Sequence, residues 1–262
     1  MSEHKEFEDL LKSVAKDRTF SIELCPRQET LLEGETNFVC KELTTLHLQK
    51  LIQTVVDNPL TQYSFHTTAT QIFKDCIGSV GFKLNVIDRL LFLLEARARF
   101  ISPIVKFSTE TGFVTANLNE ILTKLRQTIK ENIVLFSPAK IGDETIELRY
   151  GIATLDSEEK LNNEIYKDSD PNVEEPEELR KVLGDAFVHE IAKSIDVLAV
   201  DHKILDFSEK TFDFKLRMIQ SIPASLIQKV VEYIEDYKKI IEDCLTVDGH
   251  LLSIDGSLFS LR

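Results

Sequence analysis

Asn85-Val86-Ile87-Asp88-Arg89-Leu90-Leu91-Phe92-Leu93-Leu94-Glu95-Ala96-Arg97-Ala98-Arg99 is the stretch on which the fold turns. Asn85 offers a side-chain oxygen to the first free backbone amides, and Asp88 stands three positions later, the spacing of a capping box. Val86, Ile87 and the run Leu90 to Leu94 then cover nearly the whole circumference of a helix. A helix apolar all round is buried on most sides, so this segment reads as an interior strut. Arg97 and Arg99 fall in its last turn, where cations oppose the negative end of the helix dipole. Pro103 prevents continuation. Besides helix-end charges, the two arginines admit a second reading: one of them ties the helix to the β-rich part of the chain, or anchors an interface.

Downstream the texture changes. Ile104 to Phe107 and Phe113 to Thr115 predict a hairpin turning near Gly112. Ile133 to Phe136 and Thr145 to Tyr150 add two strand candidates. From Asp156 to Glu178 ten acids face two lysines, and Pro171 and Pro176 lie inside the run, which reads as a solvated linker. Beyond it the spacing predicts helix to about Leu245. One helix starts at Leu179 and runs through Ile191, Ile195 and Leu198. Another starts at Ser221-Ile222-Pro223, with Ile227, Val230, Ile234, Tyr237, Ile241 and Leu245 on its apolar face. Asp248-Gly249 and Asp255-Gly256 mark turns. The end, Leu258-Phe259-Ser260-Leu261, reads either as a last core strand or as a patch that meets a partner.

Upstream, Phe7, Leu10, Leu11 and Val14 recur at helical spacing. Thr19 to Leu24 alternates as a half-buried strand. Asn37 to Val56 reads as one helix, with Val39, Leu43, Leu46, Leu51 and Val55 inward, and Thr61 to Ile77 as the next. The expected fold is α+β, with mostly helical N- and C-terminal parts around a small central β-rich region. Four segments are expected: 1–82, 83–155, the acidic linker 156–178, and 179–262.

Composition excludes some functions. Lys and Arg total 31 against 44 acids, a net charge of -13 that repels phosphate backbones and anionic lipid, so neither nucleic acid nor membrane is expected as a partner. The longest dense apolar run, Leu90 to Leu94, is far below the roughly 20 residues of a membrane span. Met1-Ser2-Glu3-His4-Lys5-Glu6 has no apolar core of a secretion signal, and the chain is expected inside a cell. Cys25, Cys40, Cys76 and Cys244 are too far apart in sequence to form a metal knuckle or redox pair. His189-Glu190 begins like a zinc-protease helix, but position 193 is Lys193 where the second histidine belongs. Gly78-Ser79-Val80-Gly81 is too short to cradle phosphate, and Asp201-His202 reads as a solvated helix end. No catalytic residue, metal ligand or cofactor site is expected.

Four stretches, in order, resemble one family. Ile87 to Arg97 is similar to the Asp-led, Leu/Phe-rich helix ending in arginine of baseplate hub proteins from T-even-type contractile phages. The hairpin Val105 to Val114 with Asn117-Leu118, and then Thr145-Ile146-Glu147-Leu148-Arg149-Tyr150, resemble the hairpin and strand that come after that helix in the family. Phe212 to Pro223 with the long helix after it resembles the family's C-terminal section. The family often has a small-Val-Gly turn after the arginine, where this chain has Phe100-Ile101-Ser102-Pro103. Many members carry a C-terminal cysteine pair, where only Cys244 stands here. The resemblance spans Phe82 to the end.

It implies a non-enzymatic assembly factor for the central hub of a phage tail baseplate. Its partners would be other hub proteins, and its place the host cytoplasm during assembly. A permanent hub subunit in the virion baseplate is the alternative, and an enzyme of unrecognised type a third. The residues expected at a partner interface are Arg97, Arg99, Leu258, Phe259 and Leu261.

Overall fold

The chain is described by a computed structural model at residues 5, 18–25, 37–54, 61–110, 112–132, 139–142, 145–166 and 187–260. Strand β1 (Thr19–Glu23) pairs antiparallel with β2 (Asn37–Lys41), and helices α1 (Thr45–Gln53), α2 (Thr61–Ile77) and α3 (Val86–Phe100) come next. The hairpin β3 (Ile104–Thr109) and β4 (Gly112–Asn117) leads into α4 (Leu118–Glu131). Then come β5 (Ala139–Gly142), β6 (Ile146–Tyr150), α5 (Leu155–Tyr166), a helix α6 over residues 187–194, β7 (Ile195–Val200) and β8 (Lys203–Asp206). The chain closes with α7 (Phe212–Ile219), α8 (Ala224–Leu245), the short pair β9 (Thr246–Val247) and β10 (His250–Leu251), and a 3-10 turn (Gly256–Phe259). This is a mixed α+β fold, with helices spread along the chain and strands central.

Helix α3 sits where its sequence demands. Asn85 Oδ1 accepts from the amides of Ile87 and Asp88, and Asp88 Oδ2 accepts from the Asn85 amide at 2.8 Å. The other oxygen of Asp88 accepts from Cys25 N at 3.0 Å, so the cap also ties the helix to the end of β1. Every residue from Leu91 to Arg97 is buried. Phe92 stacks on Phe73 of α2 at 4.8 Å and lies 6.3 Å from Phe20 of β1. Burying one such ring contributes about 2–3 kcal/mol.

The four-stranded antiparallel sheet runs β5-β6-β7-β8. Its inner face carries Leu148, Tyr150, Ile195 and Leu198, all buried. Tyr150 meets Tyr233 of α8 edge-on at 5.1 Å. A β-bulge between Arg149 and Tyr150 resets the register against β7. Sequence-distant parts thus share one sheet: β5 and β6 precede the acidic run, and β7 and β8 come after it.

Several expectations are corrected. Asn37–Lys41 is strand, not the start of a helix; Phe38 and Cys40 point inward on alternate positions while Val39 is 65% exposed. The α1 helix begins only after Thr44, whose hydroxyl accepts from the His47 amide while His47 Nδ1 accepts in return from Thr44 N. Ile195 and Leu198 lie on β7 rather than on a helix, because β-branched Ile195, Val197 and Val200 fit a pleated surface paired with β6. Asp201-His202 is the two-residue turn from β7 to β8. Both residues adopt positive φ, 45° and 68°, the mirror-image turn that matches the twist of a hairpin. The acidic run opens as helix α5, not linker. The 3-10 turn Gly256–Phe259 replaces the expected last strand. The candidate helix around Phe7 to Val14, the strand Ile133 to Phe136, Leu261, and residues 167–186 lie outside the described residues.

Candidate functional site

Among the interface candidates, Arg97 and the C-terminal cluster come together, but inside the protein. Arg97 Nε donates to the Leu258 carbonyl at 2.5 Å and its Nη1 donates to the Ser102 carbonyl at 2.5 Å. Arg97 is 5% exposed, Leu258 3% and Phe259 0%. Asp255 holds the turn by accepting from Ser257 N at 2.7 Å, which seats Leu258 and Phe259 in the core. These residues lock the end of α3 to the end of the chain. The correction has a plain physical cause: an arginine on a helix apolar all round is satisfied by the nearest orphan carbonyls, here on two loops.

Arg99 differs, with a half-exposed side chain. It donates to Glu95 Oε1 at 2.6 Å and lies 5.7 Å from the Phe20 ring. Glu95 also accepts from Arg126 Nη2 at 2.9 Å, and Glu23 pairs with Arg126 and Lys130 at 3.5 and 3.0 Å. The network joins β1, α3 and α4 along one margin of the core.

A second charged group is not among the residues the sequence singles out. Arg89, 4% exposed, forms a two-pronged pair with Glu158 of α5; Arg89 Nη2 donates to Oε1 at 3.1 Å and Nη1 donates to Oε2. Nη1 also donates to Thr70 Oγ1 at 2.8 Å. Burial by itself would raise the Glu158 carboxyl, but the Arg89 charge and hydrogen bonds outweigh it and hold the group below the usual carboxylate range. A signal does exist in the sequence: a charge within an all-round apolar helix must be buried and therefore partnered. The partner stands 69 positions away, and nothing in the spacing names it.

Beside this pair, α2, α3, α5, α6 and α8 border a cavity of about 540 Å³ in which His66, Glu158, Glu190, Lys193, Tyr237 and Lys238 meet. Glu190 accepts from Lys193 at 2.7 Å and from Lys238 at 3.4 Å. Lys193 thus answers Glu190 at i,i+3, in the place where a zinc helix would need its second histidine. Burial and the neighbouring Arg89 charge push His66 down to about 4, and its Nδ1 is buried without a hydrogen bond. Burial also raises Tyr237. The carboxylates are occupied by cations and the imidazole is a weak base, so the cavity offers paired charges rather than a poised acid and base. Burial pushes the Cys40 and Cys76 thiols up to about 12 and about 11, leaving little thiolate for nucleophilic chemistry. Among the described residues no group of three or more His, Cys, Asp or Glu could hold a metal ion, and no helix is long and apolar enough to cross a membrane.

The surfaces suited to contact lie elsewhere. The outer face of the four-stranded sheet is a shallow groove of about 550 Å³ between Lys140, Glu147, Arg149, Val197, Ala199 and Ile204. Ile204 is 77% exposed on the edge strand β8 and Val200 41% on β7. On the hairpin β3–β4, Phe113 is 72% and Ile104 48% exposed. Alternation is the signal for Ile104, Phe113 and Ile204, each out of phase with its strand's inward residues, whereas Val200 keeps the phase of buried Leu198 and is exposed at the end of β7. No described protein family, no characterised protein and no solved structure matches the chain.

Proposed function

We propose that this protein is a non-enzymatic assembly factor for the central hub of a phage tail baseplate, binding hub subunits through the outer face of its sheet and its exposed hairpin. The ordered resemblance of the α3 segment, the hairpin and the C-terminal section to hub proteins motivates the reading. The structural observation that supports it most is the exposed apolar set Phe113, Ile104 and Ile204, carried on paired strands. Large apolar side chains standing in solvent on well-anchored strands are what a contact surface requires. A net charge of -13 keeps such a chain dispersed before its partner arrives.

Hub components expose apolar interfaces before they meet. A soluble acidic protein that covers one of them transiently suppresses premature association. Co-expression with hub subunits tests the reading: a complex should co-purify. If no hub subunit is retained and deletion of the gene leaves baseplates intact, the proposal fails. Mass spectrometry of purified particles separates the helper from the alternative of a permanent subunit, which would be present at fixed copy number.

A further inference from the structure

On the far side of α5 from the paired-charge cavity lies a small recess of about 100 Å³, lined by Lys83, Lys160, Lys210 and Lys215 together with Thr154, Ser157 and Ser208. Lys215 is the unusual member. It is 5% exposed, and its ammonium lies 5.6 Å from the centre of the Phe207 ring. Its ammonium makes no ion pair or hydrogen bond among the described residues. A lysine buried to this degree is ordinarily paired. Burial pushes it down to about 8, Asp196 works against that fall, and the charges of Lys160 and Lys83 add to it. Like charges are therefore gathered around a cavity. Asp196 and Asp156 are the two carboxylates of the lining, and Asp156 is itself paired with Lys74 at 2.8 Å. Asp206, close by, accepts from Ser208 N at 2.7 Å.

The helix dipoles add partial charge of the same sign. Thr154 and Ser157 bring the N-terminus of the 12-residue helix α5 to the recess, and Thr154 Oγ1 accepts from Ser157 N at 3.1 Å, which fixes that end. Lys210 and Phe212 bring the turn that enters α7. A helix N-terminus carries partial positive charge, although the α5 amides of Leu155 and Ser157 already donate to Leu84 O and Thr154 Oγ1. Four ammonium groups outnumber the carboxylates of Asp156 and Asp196 in the lining and of Asp206 close by, so a small anion in this space is surrounded by net positive charge.

We propose that this recess is a phosphate site, taking orthophosphate or the phosphate group of a small phosphorylated metabolite, with Lys215 at its floor and Lys83, Lys160 and Lys210 at its rim. The bound dianion gives the Lys215 ammonium a hydrogen-bonded counter-charge, where Asp196 acts on it only through space. The site is independent of the hub-binding surface.

Calorimetric titration of the full chain with inorganic phosphate tests it, at constant ionic strength balanced with chloride. One saturable site per chain is expected. The double variant Lys160→Gln/Lys210→Gln changes only exposed side chains and should weaken binding about tenfold, the worth of one charge-assisted hydrogen bond. Lys215→Met should abolish it; circular dichroism reports whether that variant folds, and the rim variant decides if it does not. Glycerol phosphate as a second titrant separates the sources: binding at least as tight assigns a phosphomonoester, and exclusion assigns free phosphate. Non-saturable heat, affinity no greater than for acetate, or full affinity in Lys160→Gln/Lys210→Gln would overturn the proposal.

Discussion

Arg89 and Glu158 form a buried, hydrogen-bonded pair, and its value lies in specificity as much as in stability. Removing one partner strands the other charge in the interior, which costs about 3–5 kcal/mol. Arg89→Met is therefore expected to lower the free energy of unfolding by that amount in urea titrations. Adding Glu158→Leu should recover much of the loss, because the stranded carboxylate goes too; a double-mutant cycle measures the coupling directly. His66, close to the pair, gives a pH signature. The folded protein keeps it neutral down to about 4, whereas the unfolded chain takes up the proton near 6.5. Between those values the unfolded state binds more protons, so stability is complete above 6.5 and falls as pH drops toward 4. The loss should reach about 3 kcal/mol, and His66→Gln should flatten the slope across that window. Below it Glu158 and Glu190, both held under the usual carboxylate value, protonate and extend the decline. Charged residues inside α3 are recognisable from sequence as needing partners, but their partners come from elements far along the chain, and spacing carries no record of that.

At the scale of elements, α3 is legible in full because cap, apolar circumference and stop signal all agree. Deleting its cap has a graded outcome. Asn85→Ala should cost about 1 kcal/mol. Asp88→Ala should cost about 2–3 kcal/mol, because two buried amides, those of Asn85 and Cys25, lose their acceptor. Leu93→Ala, at a position 1% exposed, should cost about 2–5 kcal/mol. Thermal or chemical unfolding of the three variants checks the ordering. The Asn37–Lys41 strand is masked in the sequence because Val39, Leu43 and Leu46 also fit helical spacing. Strand β1, however, needs a partner for its backbone groups, and the nearest alternating stretch is Asn-Phe-Val-Cys-Lys. The β7–β8 hairpin is hidden for a related reason: Ile191, Ile195 and Leu198 keep a helical phase across a helix-to-strand boundary, and its turn lacks the usual glycine. The second turn, Asp248-Gly249, has both residues at positive φ and is plain in sequence.

Across the whole molecule the sheet is the organising fact. Pairing of β6 with β7 joins the part before the acidic run to the part after it, so the central and C-terminal segments are one structural unit rather than neighbours across a linker. That pairing is non-local, and local patterning does not specify it. The same sheet presents its outer face to solvent, and there and on the hairpin β3–β4 the residues of the proposed partner surface lie, not at Arg97, Leu258 and Phe259, which serve the interior. Replacing Phe113 and Ile204 by serine should leave stability nearly unchanged, since both side chains stand in solvent, while weakening any hub complex by about tenfold or more. Hydrogen–deuterium exchange, on the chain alone and then with hub subunits added, tests the account most directly. Residues 86–100 should be among the slowest to exchange in the free chain, with new protection on binding confined to β3–β4 and β7–β8. Fast exchange along 86–100 in the free chain, or no new protection on either hairpin when hub subunits are present, would contradict it.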